Sequence, residues 1–320
     1  MKALKVTGNK LELTDISRPL ANGEVVVRVL KSGICSTDIE IVRGYASFEG
    51  VIGHEFVGVV EEAPASPLLV GKRVVGEINA GCGHCGLCRA GDPRHCPNRT
   101  VLGIKGRDGA HAQFLKLPAA NLFEVPAEIS DSEAVFVEPL AAAIGIREQI
   151  NFTDKTRTAI IGDGKLGLLC ALSLANEPGH LILVGKHQEK MRIAEVRGIE
   201  TVDASDRGKL ESGFDVVVEA SGSGSGFAAA LDLVRPRGEI VLKSTFQGKP
   251  TWEAWRVVVD EIAIRGSRCG RFGPALEMLA SKKIDVSPLV SDEFALSKGV
   301  AAFSRAAEKG ALKVLLNAAE

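Results

Sequence analysis

The chain has 320 residues, 45% of them hydrophobic, with 39 basic against 40 acidic side chains and a formal net charge of -1. A chain of this size buries an ample core without disulfides, and its balanced charge offers neither a nucleic-acid footprint nor a polybasic membrane patch. No stretch reaches the roughly eighteen apolar residues of a membrane span, and the opening MKALKVTGNKLELTD alternates too quickly for the apolar core of a signal peptide. The expected setting is a reducing cytoplasm, where clustered cysteines serve as metal ligands or redox groups rather than disulfides.

The first third is rich in short apolar runs bounded by Gly and Pro, and EVVVRVLKSGIC and GVVEEAPASPLLVGKRVVGE read as strands. Within it lies CGHCGLCRAGDPRHCP, whose Cys82, Cys85, Cys88 and Cys96 are separated by two, two and seven residues. Four thiolates so spaced close a tetrahedral shell around zinc with no vacancy. An iron–sulfur cluster is the rival, but the ferredoxin run C-x2-C-x2-C has its next cysteine about three residues on. A closed shell has no position for a substrate, so the lobe at 80–97 reads as structural, with His84 and His95 as loop residues. The segment DSEAVFVEPLAAAIGIREQI (131–150) then reads as helical, with a break or kink at Pro139.

From about Thr156 the pattern changes. TRTAIIG, HLILVG, FDVVVEASG, GEIVLKS and IAIRGS read as strands, alternating with helical stretches such as KLGLLCALSLANE and QEKMRIAEVRG. Such alternation means parallel pairing and βαβ units. AIIGDGKLGLL matches G-x-G-x-x-G at Gly162, Gly164 and Gly167, between a strand and a helix, with Lys165 and Leu166 inside the motif. The glycines allow a tight turn and close approach of a pyrophosphate to the helix N-terminus. An NAD site has Asp or Glu about twenty residues further on. Here the second strand ends in Gly185, Lys186 and His187, and the next carboxylate along the chain is Glu189. A small residue followed by cations leaves room for a 2′-phosphate, so NADP(H) is expected over NAD(H). The bland alternative is that Lys186 and His187 are solvated loop residues. Cys170 reads as core packing, and Cys269 follows the last strand of this series. The chain ends in helices at 274–281 and 297–309 and a strand-like ALKVLLNA.

Three scattered segments each hold a possible metal ligand: GICSTDIE with Cys35, IGHEFVG with His54, and VEPLA with Glu138. One S, one N and one O ligand would leave a fourth position open. Taken singly, each reads equally well as core or surface, and spacing does not join them. Together with the four-cysteine lobe, GHE at 53–55, EPLA at 138–141, the glycine turn and EASG at 219–222, they resemble the zinc-dependent medium-chain dehydrogenase/reductase family, of the alcohol and polyol dehydrogenase type. The resemblance covers essentially the whole chain.

It implies an α/β chain with a GroES-like β-rich catalytic domain (1–143), a Rossmann nucleotide-binding domain with a doubly wound parallel sheet (144–270), and a C-terminal return to the catalytic domain (271–320). It implies that Cys35, His54 and Glu138 hold a catalytic zinc and the quartet a structural one. Thr37 would bond the substrate oxygen and begin a proton relay, Asp38 would orient the ligating histidine, and Glu55 would approach the metal. Ser221 and Gly222 would border the dinucleotide. Ser36 stands where some members carry an arginine for the pyrophosphate, and Lys313 would serve instead. Glu40 stands where a histidine ends the relay in some members. The loop before His54 is short, with Tyr45, Phe48, Trp252 and Trp255 as candidate pocket walls or ordinary packing. The expected partner is a small alcohol or carbonyl compound, and the expected assembly a homodimer or homotetramer paired around 240–266. Two other readings stay open: an NADPH-dependent reductase of a conjugated C=C or iminium bond with an idle zinc site, and a non-catalytic member of the superfamily.

Overall fold

The computed structural model describes residues 1–210, 212–245 and 253–319. The chain divides into two compact units, Met1–Glu138 with Ala275–Glu320, and Pro139–Pro274.

The first unit is organised around strand Val25–Ile34. It pairs antiparallel with Glu55–Glu62 on one side and with Lys313–Asn317 on the other, and its early part also with Phe114–Leu117. Arg73–Gly76 and Leu122–Glu124 extend the sheet, and Val290–Ala295 runs parallel to Lys313–Asn317. Val27, Phe56, Val60, Val74, Leu117 and Val314 are among the buried side chains of its core. This is the β-rich GroES-like architecture, completed by the C-terminal strands.

Register decides what meets at the end of this sheet. Gly33 pairs with Glu55, and Ile34 with Val314. Cys35 therefore follows the end of one strand, His54 precedes its neighbour, and Lys313 begins the strand on the other side. Gly33 must be glycine, because a Cβ there would lie 2.5 Å from Glu55 Oε2 and 2.7 Å from Val135 Cγ1.

The segment 131–150 differs from its sequence reading. Helix Asp131–Ala134 is capped by Ser130, with Glu133 reaching back to the Ser130 N–H, and a separate helix Val137–Ile144 follows. The break falls before Pro139, which stands in the first turn of the second helix, where a missing N–H leaves no carbonyl unserved. Glu138 is thereby held at that helix's start.

The second unit is a sheet of parallel strands in the order 200–203, 180–185, 157–161, 214–219, 234–242, 263–266. Numbered along the chain this is 3-2-1-4-5-6, the Rossmann order. Helices Lys165–Leu174, Gln188–Glu195, Gly224–Leu233 and Ala254–Val259 alternate with these strands. Ile160, Val217, Val218, Ile240 and Val241 are fully buried, which explains their unbroken apolar runs; each such side chain contributes about 1.5–3 kcal/mol. The fifth strand starts earlier than GEIVLKS suggests, at Val234. It takes in an irregularity where Arg237 has φ 58°. Among the described residues no helix is long and apolar enough to cross a membrane.

Candidate active site

Cys35, His54 and Glu55 form a compact set whose possible ligand atoms all lie within 4.8 Å of one another. Glu138, expected as the third ligand, is not part of this set among the described residues. It stands close enough to feel it. Burial, reinforced by Glu55 and Glu77, pushes its carboxyl up to about 7 against the pull of His54 and Lys313. The neighbour in the GHE motif is thus the carboxylate that the strand pairing delivers beside Cys35.

The support behind His54 is buried. Asp38, in helix Ser36–Val42, reaches back to accept the Cys35 N–H at 2.8 Å. Its other oxygen lies 3.1 Å from His54 Nδ1, which leaves Nε2 as the ring nitrogen for a metal. Behind Asp38 lies a residue that the sequence reading missed. His111 is fully buried, its Nε2 3.5 Å from Asp38 and its Nδ1 2.9 Å from Ser32 Oγ. Gly53, with φ 97°, is required here because a Cβ would strike the His111 ring at 2.6 Å. Burial alone would raise the Asp38 pKa, but His54 and His111 outweigh it and hold the carboxyl well below the usual range. Burial alone would likewise lower His54, and Asp38 outweighs it to raise the pKa well above the ordinary imidazole value. Thr37 Oγ1 lies 3.7 Å from Cys35 Sγ.

Lys313 requires a correction. It was expected at a pyrophosphate, but its ammonium is buried and donates to Glu55 Oε2. Burial disfavours its charge, yet Glu55, Cys35 and Glu138 keep its pKa raised. Glu55 Oε1, by contrast, is buried without a hydrogen-bond partner. Such an orphan costs about 1–3 kcal/mol. Beside a thiol and an imidazole, an unserved carboxylate oxygen completes the S, N and O donors that zinc accepts, so this set fits a zinc ion.

Cys82, Cys85, Cys88 and Cys96 also cluster with all four sulfurs within 4.8 Å, and Cys85 Sγ lies 3.6 Å from Cys96 Sγ. A tetrahedral shell with Zn–S bonds of 2.3 Å has sulfur–sulfur edges of roughly 3.8 Å, so the thiols are spaced for one ion. The His84 amide is the main cause that draws Cys82 down to about 6, while desolvation raises Cys88 to about 11. His84 turns its ring to the Cys82 carbonyl, as a loop residue does.

In the second unit the glycine turn has the shape the motif requires. Gly162 has φ 113°, and a Cβ on Gly167 would lie 1.9 Å from Gly162 O, so helix and strand touch through glycine. A Cβ on Gly164 would meet nothing within 4 Å, which leaves that face of the turn open to a pyrophosphate. Lys165 and Leu166 begin the helix. Ser221 and Gly222 form the turn after strand 214–219, where Glu219 accepts from the Ser221 N–H and hydroxyl and Gly222 donates to Ser244 Oγ.

Gly185, Lys186 and His187 end the second strand, as the sequence indicates. The reading that no carboxylate stands there holds along the chain but not in space. Asp163, inside the glycine motif, accepts the backbone N–H groups of Lys186 at 2.7 Å and His187 at 2.6 Å. The available signal was a charged residue within a glycine turn.

Of the candidate pocket walls, Phe48 packs against the core of the first unit, Tyr45 and Trp255 are exposed, and Trp252 lies outside the described residues. Glu40 pairs with Arg43 on the surface. Cys170 is fully buried, and burial pushes its thiol to about 11.

Residues 21–127 match the family model of the alcohol dehydrogenase GroES-like domain, and residues 169–281 that of the zinc-binding dehydrogenases. An L-threonine 3-dehydrogenase of Coxiella burnetii is 30% identical over 317 residues, covering 92% of each chain. A zinc-binding dehydrogenase of Sinorhizobium meliloti, solved bound to NADP, is 27% identical with a TM-score of 0.89, covering 99% of this chain and 98% of its own. An alcohol dehydrogenase of Escherichia coli, solved with NADH, is 26% identical with a TM-score of 0.90, covering 99% of both. The chain belongs to the zinc-dependent medium-chain dehydrogenase/reductase family and is an oxidoreductase of the alcohol dehydrogenase type.

Proposed function

We propose that the protein transfers a hydride between NADP(H) and an alcohol or polyol, or the corresponding aldehyde or ketone, with one zinc at Cys35 and His54 and a second in the cysteine lobe. The observation that carries this reading is the Cys35–His54–Glu55 set, half-buried at Cys35 and buried at the other two, with its unserved carboxylate oxygen. When bound, zinc and the dinucleotide would supply Lewis acidity and a hydride carrier. Cys35 and His54 are the fixed ligands, and Glu55 and Glu138 are the carboxylates available for the oxygen position. Asp38 holds the His54 ring in place. Lys313 neutralises Glu55, which keeps the donor set less anionic and favours loss of a proton from a substrate hydroxyl. Thr37 orients that hydroxyl and receives its proton. Since Glu40 is engaged with Arg43, the proton continues to water rather than through a histidine.

In the second unit, Gly162, Gly164, Lys165, Leu166 and Gly167 cradle the pyrophosphate, and Ser221 and Gly222 border the dinucleotide. Gly185 followed by Lys186 and His187 supports NADP(H), as does the Sinorhizobium meliloti relative solved with NADP. Lys313 is left out of the cofactor set. Strand 263–266 is an edge of its sheet, and Trp255, Val258, Val259 and Ile264 are exposed nearby. A second copy pairing along this edge is the homodimer we propose, in a cytosol that keeps the thiols reduced. The test is a screen of alcohols, polyols and aldehydes with each dinucleotide. Turnover abolished by Cys35→Ser and by His54→Ala supports the reading. Undiminished reduction of an enal or iminium substrate by Cys35→Ser would transfer the chain to C=C or C=N chemistry.

A further inference from the structure

In NAD sites the acid at the end of the second strand bonds the ribose 2′-OH. This chain has Gly185 there, and the structure shows why. A Cβ at 185 would lie 2.8 Å from Asp163 Oδ2 and 2.7 Å from Met191 Sδ. A side chain at 185 and the carboxylate of Asp163 compete for one place, and Asp163 holds it. The acid missing from the strand end thus arrives from the glycine turn.

Asp163 is buried and held by several partners. Beside the Lys186 and His187 amides, both of its oxygens lie 3.1 Å from His187 Nδ1. Burial opposes its charge, but these hydrogen bonds outweigh it and keep the carboxyl below the usual range. Its position has two consequences. The amides at the turn into helix Gln188–Glu195 are occupied by a carboxylate and are not free for a phosphate. A negative charge also stands beside the His187 ring and at the backbone of Lys186, at the strand end where a 2′-phosphate would lie. Asp203, in register with Gly185, is no substitute, since it is exposed and turned to Ser205.

We infer that Asp163 is the residue that sets dinucleotide selectivity, offsetting Lys186 and His187, opposing a 2′-phosphate and leaving NAD(H) usable beside NADP(H). The inference rests on the dinucleotide site proposed above and deepens it. The experiment is titration of the whole protein with NADPH and with NADH, followed by calorimetry, for wild type, Asp163→Asn, Lys186→Ala and the double variant. Asparagine keeps an oxygen acceptor for the two amides and removes the charge, with an amide NH2 in place of the second oxygen. Asp163→Asn is expected to raise the affinity ratio of NADPH over NADH by about tenfold, as removal of one nearby like charge should. Lys186→Ala is expected to lower that ratio in both backgrounds. If Asp163→Asn changes both affinities in parallel, Asp163 is merely structural and the inference fails. If Lys186→Ala changes both in parallel while Asp163→Asn shifts the ratio, the NADP(H) preference fails and the inference stands. If wild type binds neither dinucleotide, the site itself is wrong and both fall. Unfolding curves for each variant separate a folding defect from a binding effect, and Asp163→Ser, which also removes the charge, must shift the ratio in the same direction.

Discussion

Lys313→Met is the most informative perturbation of the catalytic unit's stability. Methionine retains most of the buried stem and deletes the ammonium. Lys313 and Glu55 are each only 1% exposed, and Glu55 Oε1 already lacks a partner, so the variant strands a carboxylate with neither oxygen served. Breaking one side of a buried ion pair costs about 3–5 kcal/mol. In a unit of this size each kcal/mol moves Tm by about 2–4 °C, which gives a fall of roughly 6–20 °C. Glu55→Gln added to Lys313→Met should recover at least half of the loss, because the group left buried is then neutral. The assay is thermal unfolding by circular dichroism, with denaturant titration alongside, repeated in the presence of a zinc chelator. A single variant within about 1 kcal/mol of wild type would refute the reasoning. So would a double variant as unstable as the sum of the two singles.

Three further outcomes are expected. Asp38→Asn should weaken zinc at the proposed Cys35–His54 site by about 10–100-fold in a chelator competition, leaving the cysteine lobe untouched, since a carboxylate behind His54 would orient it as a ligand. His111→Phe should fit the space yet leave Ser32 short of its buried partner and remove the imidazole that lies 3.5 Å from Asp38, lowering stability by about 1–3 kcal/mol in denaturant titration and loosening the same zinc. Gly33→Ala should disrupt the Glu55–Lys313 pair from the backbone side. Its Cβ would lie 2.5 Å from Glu55 Oε2, so a loss of about 1–3 kcal/mol is expected from overpacking.

Features carried by local spacing were legible in the sequence. The cysteine quartet spans fifteen residues and the glycine turn six, and the strand–helix alternation fixes the parallel sheet. Features made by strand register were not. Nothing along the chain says that Gly33 will face Glu55, or that Lys313 will start the strand beside Cys35, so the sequence points Lys313 to a pyrophosphate and only the register shows its buried carboxylate partner. His111 lies far in sequence from Ser32 and Asp38 and shows no periodic signal, yet it closes the polar chain behind His54. Asp163 is not marked by the usual acid about twenty residues beyond the glycine turn, because it lies inside the turn itself. Pro139 misled in a simpler way: a proline marks a helix break only when it is not in a first turn.

We place two separate metal centres in this chain, one open and one saturated. Zinc per chain measured by mass spectrometry on wild type, Cys35→Ser and Cys82→Ser tests it most directly. Two ions are expected in wild type and one in each variant, with turnover lost in Cys35→Ser. A single ion in wild type that disappears with Cys82→Ser and persists with Cys35→Ser would contradict it.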